Sequence, residues 1–295
     1  MAAETAAQTP WAETADEALA AAQVDAAVGL TSAEAAERQS RYGPNKFAEA
    51  SVEPLWQRFL RQYRDLMKQS PDELTACIVL RKAPPLPFLP EEVHGTSILA
   101  IAVRYVGSIE QGEKAVKPLQ AIGAPIADAI SPHVFTAFQS AFDPLLTPGA
   151  RNYWKSHNFS SIDDDLIDLL LRFTDALPSP QSEIFLAQLG GATSRVAPEA
   201  TAYLHRDAAF VLNVHTRWED RTDDDRCVAW ARDFFDATSP YATGGVYVNF
   251  MPDDEEERVR SAYGDHYERL VEIKNKYDPT NLFRLNQNIR PTGAV

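Results

Sequence analysis

The chain has 295 residues, a formal net charge of -14 at pH 7, 45% hydrophobic and 10% aromatic residues. That content can build a sizeable core, so a disordered chain is not expected; the acidic balance argues against nucleic acid and against an anionic membrane surface, which both call for clustered Lys and Arg. Two cysteines, Cys77 and Cys227, make neither a disulfide framework nor a cysteine zinc site, and no signal peptide or membrane span is visible, so a cytoplasmic protein is expected.

Residues 1–68 are polar and helical in pattern, with no strand signal. Thr31 followed by Glu34 is a capping box, and Gly43-Pro44 stops the helix it opens. A second helix begins near Pro54. Its residues Leu55, Trp56, Phe59, Leu60, Tyr63, Leu66 and Met67 recur at three- and four-residue steps and form one apolar stripe, with Arg58, Arg61 and Arg64 opposite. Two or three short helices do not make a core of their own.

From Glu73 the texture changes. Leu74 to Leu80 and Ser97 to Val106 read as strands, joined by the proline-rich stretch Ala83 to Pro90. Helices follow over Glu110 to Ile122 and Val134 to Phe142, then a short aromatic segment, Asn152 to Phe159, and a helix over Ile162 to Leu177. Strands are predicted at Glu183 to Leu189 and Ala208 to Trp218, and a helix over Asp223 to Ala237. Grouped strands and helices in mixed order predict an α+β fold, an antiparallel sheet with helices packed on one face, behind a small helical N-terminal segment. Three acidic triplets, starting at Asp163, Asp223 and Asp253, each precede a predicted helix. Carboxylates there stabilise the positive end of the helix dipole, so no metal is expected.

The C-terminal stretch carries the most specific signal. Tyr263-Gly264-Asp265-His266-Tyr267, Tyr277-Asp278-Pro279-Thr280-Asn281-Leu282-Phe283 and Asn286-Gln287-Asn288-Ile289 resemble the C-terminal signature of berberine-bridge-like FAD-linked oxidases. Gly244-Gly245-Val246-Tyr247-Val248-Asn249-Phe250 is similar to the strand that passes the flavin ring in that family. Arg151-Asn152-Tyr153-Trp154-Lys155-Ser156 and Gln188-Leu189-Gly190-Gly191-Ala192 match its substrate domain. The resemblance runs over about 71–291, and motifs in the right order make it stronger than any short pattern alone.

The resemblance implies an oxidoreductase using FAD, in which a base takes a substrate proton as hydride passes to the flavin. It assigns the base to Tyr247, flavin contacts to Asn249, Asn286, Gln287 and Asn288, and substrate contacts to Gln188 and Lys155. Read without it, Tyr247 is a half-buried strand tyrosine, and the Asn286 run is equally an ordinary loop. Tyr247 and Asn249, two apart on a strand, should face the same side. A phenol's reference pKa is about 10, so a donor or cation beside the base is expected.

The family's large N-terminal FAD domain has no counterpart here. No glycine-rich turn follows a strand before residue 70, and no histidine occurs before His94. A pyrophosphate is held by backbone N–H groups at such a turn, so FAD binding by this chain alone is not expected. Instead, residues 11–67, with Gly29-Leu30-Thr31-Ser32-Ala33-Glu34 and Tyr42-Gly43-Pro44-Asn45, resemble the N-terminal module of cation-transporting P-type ATPases. The expected organisation is a helical segment (1–68), a substrate-binding domain (69–250) and a berberine-bridge-type tail (251–295). It fits a truncated or split FAD-linked oxidoreductase that meets a small-molecule substrate and an FAD-domain-bearing chain, or forms a homo-oligomer. The alternative is a non-catalytic small-molecule or partner-binding module derived from such an oxidase.

Overall fold

The computed structural model describes residues 14–43 and 55–293, with side chains from residue 58 onward in the second stretch. Trp11, Pro44, Asn45 and Pro54, and the side chains of Leu55 and Trp56, lie outside the described residues. Two compact units divide between Val52 and Glu53, rather than after residue 68.

In the first unit, α1 (Ala15–Ala22) and α2 (Ser32–Tyr42) each open with a capping box. Thr31 pairs with Glu34 as the sequence predicts; Thr14 pairs with Glu17 in the same way. Arg38 of α2 donates to the carbonyls of Ala22 and Gln23 at 2.7 and 3.3 Å. A guanidinium there satisfies carbonyls that the end of α1 leaves without helical partners.

The second unit is built on a five-stranded antiparallel sheet of order β2-β1-β4-β5-β3, with β1 (Leu74–Lys82), β2 (Ser97–Tyr105), β3 (Arg151–Phe159), β4 (Glu183–Gln188) and β5 (Phe210–Trp218). Side chains alternate across a strand, so the register assigns each residue a face. Ile78 lies opposite Ile101 on one side and Leu186 on the other; with Leu80, Ile184, Leu212 and Phe159 it belongs to the helix-covered face. Against that face pack Leu60, Tyr63 and Met67 of α3 (Leu55–Met67), Val116 and Leu119 of α4 (Ile109–Gln120), Leu166, Ile167 and Leu170 of α6 (Asp164–Asp175), and Ala231 and Phe234 of α7 (Asp224–Thr238). A short α5 (Phe135–Ser140) adds nothing to this core. The fold is the predicted α+β arrangement, with helices on one face.

Of the described part of the α3 stripe, Leu60, Tyr63 and Met67 are buried and Phe59 and Leu66 half-buried. Its arginines fasten it: Arg61 pairs with Asp164 at 3.0 Å, and Arg64 donates to Asp164 and to the carbonyl of Ile162.

Two predicted elements differ. Asn152 to Phe159, read only as an aromatic segment, is part of the nine-residue edge strand β3. Lys155 to Phe159 are all buried, so the strand shows no polar alternation to betray it. The strand expected over Gly244 to Phe250 does not form. Gly244, at φ 83°, turns the chain, and Val248–Phe250 tightens into a 3-10 turn closed by the Phe250 N–H on the Tyr247 carbonyl. The acidic triplets also diverge. Asp163 caps α6 by accepting from the Leu166 N–H at 2.9 Å. Asp224 instead pairs with Arg151, and Asp254 and Glu255 pair across to β3 and α7.

The tail forms α8 (Val259–Tyr263) and α9 (Tyr267–Tyr277). Val246, Met251, Val259 and Ala262 make a second, smaller apolar cluster, with Val248, Tyr263, Tyr267 and Ile289 packed on it.

Candidate functional site

Tyr247 sits at the start of the 3-10 turn, half-buried, beside the core residue Val246. The turn brings Asn249 back onto it: the Asn249 Nδ2 donates to the phenol oxygen at 2.8 Å. The sequence expects these two side chains on one side, and they meet, by a tight turn rather than by strand alternation. The tail loop reaches the same segment. Gln287 Nε2 donates to the Met251 carbonyl at 2.9 Å, and Ile289 packs in the cluster with Val246 and Val248.

Asp278 shapes that loop. Its carboxylate accepts from the N–H groups of Leu282 and Phe283 and pairs with Lys274. Those donors, Lys274 first, hold it below the usual carboxylate range. Asn281 and Asn286 take left-handed backbone, at φ 54° and 60°, a conformation asparagine tolerates. Asn286 is exposed and Asn288 half-buried, and the Asn288 Oδ1 is sealed with no protein partner.

Sequence reasoning missed the residues facing Tyr247 from the 201–207 loop. Tyr203 meets the Tyr247 ring edge to face at 6.0 Å, and Phe250 meets it at 5.1 Å. His205 lies so close over Gly245 that a Cβ there would fall 2.5 Å from its Nδ1. Its Nε2 is sealed and unpartnered. Burial raises the Tyr203 phenol above the ordinary range, with nearby Arg206 opposing it. The available signal was the alternation of Tyr203 and His205 around Leu204, a ring at every second position in a segment without helical pattern.

Lys155 and Gln188 lie elsewhere. Both point to the helix-covered face of the sheet. Gln188 Nε2 donates to the Met67 carbonyl at 3.0 Å, tying β4 to α3. Lys155 Nζ donates to Glu255 at 2.7 Å, and Arg258 reaches the same oxygen at 2.7 Å. Alongside, Tyr153 donates to Asp254, which also pairs with Arg232. These pairs fasten the start of the tail to β3 and α7.

The polar edge of a flavin offers both donors and acceptors, and the amides of Asn249, Gln287 and Asn288 with the Tyr247 phenol are of matching chemistry. The unpartnered Asn288 oxygen fits such an edge. The pyrophosphate is a different matter. Gly190 and Gly191 make a tight turn after β4, but Gly191 is set against the Asp72 main chain, and Arg195 pairs with the Asp72 carboxylate. That turn serves packing, and no phosphate cradle stands among the described residues.

Comparison with known proteins supplies the context. Residues 246–290 match the family described as "Berberine and berberine like", and residues 10–68 match "Cation transporter/ATPase, N-terminus". An uncharacterized FAD-linked oxidoreductase of Bacillus subtilis is 29% identical over 244 residues, covering 80% of this chain and 51% of that protein. An FAD-linked oxidoreductase of Dictyostelium discoideum is 27% identical over 226 residues, covering 76% and 46%. Among solved structures, 6-hydroxy-D-nicotine oxidase of Arthrobacter nicotinovorans shares the fold with a TM-score of 0.66 at 18% identity, covering 79% of this chain and 51% of that one. Chitooligosaccharide oxidase matches with a TM-score of 0.62 at 20% identity over 80% and 52%. The fold is thus the α+β fold that these oxidases contain. The sequence matches support kinship with the berberine-bridge-like FAD-linked oxidoreductases, a group whose members use FAD. The chain spans about half the length of the curated relatives it matches.

Proposed function

We propose that this chain forms the substrate-binding side of an FAD-linked oxidoreductase and completes a flavin site whose pyrophosphate grip comes from an FAD-bearing partner chain. The observation that carries the reading is the Asn249–Tyr247 hydrogen bond, at 2.8 Å, on the same small cluster that receives the Gln287 loop. Asn249, Asn286, Gln287 and Asn288 would meet the polar edge of the ring system. When bound, FAD supplies the acceptor for a hydride leaving the substrate carbon. As its phenolate, Tyr247 would take the proton from the substrate's hydroxyl or amine and become the phenol, with Asn249 fixing where its oxygen points. The burial of Lys155 and the tie made by Gln188 give these two the role of holding the sheet, the tail and α3 in place around that site. Exposed apolar side chains support a docking face: Leu282, Phe283 and Leu285 are 72%, 77% and 87% exposed, and Val134 and Phe135 are 70% and 63% exposed.

The test is flavin uptake. Combined with the FAD-bearing half of a relative, the chain should yield a yellow complex that retains FAD through purification. Tyr247→Phe should retain flavin yet lower turnover by roughly 100- to 10,000-fold, the usual contribution of a positioned base. A colourless preparation that ignores both FAD and the added half would overturn the enzyme reading. It would favour a second one, a non-catalytic binding module. The match of residues 10–68 to a transporter segment favours that module, with its helical pair docking on a membrane protein.

A further inference from the structure

The sheet ends on two edge strands, and the fold treats them differently. At β3 the tail closes the edge: the Asn158 carbonyl accepts from the Thr243 N–H at 2.9 Å, and the Ser156 carbonyl from Arg258 at 3.5 Å. At β2 no described residue does so. Its ladder to β1 is bracketed by the Ala83 N–H on the Thr96 carbonyl, at 2.8 Å, and the Val106 N–H on the Glu73 carbonyl, at 3.0 Å. The register between them is unbroken, and bonded and non-bonded pairs alternate in an antiparallel ladder. Ile98, Ala100, Ala102 and Arg104 therefore bond to β1. The N–H and C=O groups of Ser97, Leu99, Ile101, Val103 and Tyr105 point away from the sheet, and no hydrogen bond reaches them from any described residue.

A bare edge is ordinarily blunted by a proline, an inward-pointing charge or a bulge. β2 has none of these. Its nine residues carry one charge, Arg104, which is exposed on the outward face near the strand's end. Leu99, Ile101 and Val103 lean on the core yet stay half-buried, because nothing described stands beside them. The strand also matches itself when reversed. Around Ile101 stand Ala100 and Ala102, then Leu99 and Val103, then Ile98 and Arg104, and last Ser97 and Tyr105.

We infer that two copies of this chain pair through β2, antiparallel about a two-fold axis at Ile101, to make one continuous sheet. On the helix-covered side Leu99 meets the partner's Val103, and Ile101 meets its own counterpart. On the outward side Ala100 meets the partner's Ala102, and the stem of Arg104 lies along the partner's Ile98, so no like charges stand opposite. Each bare N–H finds a carbonyl. A foreign strand would need this spacing of small and branched side chains by chance, whereas a second copy brings it. The pairing does not depend on the oxidase reading. Interfaces of less than about 1,200 Å² are weak, and the charge of -14 on each copy opposes approach. Association is therefore expected in the micromolar range, and it should strengthen as salt screens that repulsion.

The experiment follows the full chain alone by sedimentation equilibrium across the micromolar range, with hydrogen exchange at single amides read by NMR. The mass should rise to that of a dimer. The amides of Leu99, Ile101 and Val103 should exchange at least tenfold more slowly at the top of the range than at the bottom, while those of Ala100 and Ala102, bonded within the sheet, change little. Ala100→Lys combined with Ala102→Lys brings like charges together across the axis and should weaken association at least tenfold. Ala100→Lys combined with Ala102→Glu sets opposite charges against each other and should restore it; circular dichroism checks that both variants fold. A monomer at every concentration, a dimer indifferent to both pairs of substitutions, or protection of Leu99, Ile101 and Val103 already present in the dilute monomer would overturn the inference. So would protection that appears only when the FAD-bearing half of a relative is added, since that half would then supply the strand.

Discussion

Glu255 is 2% exposed and lies between two cations, Lys155 and Arg258, each 2.7 Å from the same oxygen. Removing a buried counter-ion leaves uncompensated charge, so Glu255→Ala should cost about 3–5 kcal/mol in urea unfolding. Lys155→Met should cost much less, because Arg258 still neutralises the carboxylate and the new side chain can pack against Phe235. Two residues along β3 from Lys155, His157 is stacked on Phe235 at 4.0 Å, and burial pushes its pKa down to about 4, with Arg258 and Lys155 adding to the effect. An unfolded histidine titrates near 6.5. Between those values the unfolded chain binds the extra proton, so stability is fully present above about pH 6.5 and is lost as pH falls toward 4. His157→Phe, which keeps the stack, should flatten that part of the stability profile; an unchanged slope would assign it to another group. None of these partnerships was legible beforehand. A lysine's partner a hundred residues away leaves no local trace, whereas the motif did single out Tyr247 and Asn249, and these two touch.

At the level of elements, legibility followed periodicity. The stripe on α3 and strands β1 and β4 announced themselves because one face is buried at regular spacing, whereas β2 and β5, which show no such alternation, read as strands from their apolar and β-branched content. β3 did not, since Lys155, His157 and Asn158 are buried polar residues that mask its alternation. The segment around Tyr247 misled in the opposite direction: Val246, Val248 and Phe250 read as strand, but Gly244 and the 3-10 turn set its course. Gly245 has a reason of its own. Gly245→Ala would drive a methyl into His205, and small-to-large changes in tight packing cost about 1–3 kcal/mol, so a clear drop in melting temperature is expected. For α6, Asp163→Ala should remove a working cap and cost about 1 kcal/mol, while Asp223→Ala, which makes no cap hydrogen bond, should cost little for its helix start. Equal effects would mean that proximity to the helix end, rather than the hydrogen bond, carries the stabilisation.

For the molecule as a whole, fold class was readable because grouped strands and helices leave few architectures, while the exposed Leu282, Phe283 and Leu285 of the tail carry no periodic signal. On the sheet's outward face Val79 and Phe185 are half-buried, and more open apolar side chains lie on residues 126–146. No helix among the described residues is long and apolar enough to cross a membrane. The order of the strands bears on how the second unit assembles. β1 and β2 pair across a single loop, but β4, the middle strand, joins β1 to β5 only after β3 and α6 have been made. Closing a long loop before its contacts repay the lost entropy slows the search. Refolding from denaturant should therefore begin with a fast hairpin phase and finish in a slow one. During that delay the unmatched edges of the first hairpin stay open to pairing with neighbouring molecules, which makes dilution or a chaperone the natural remedy for poor recovery.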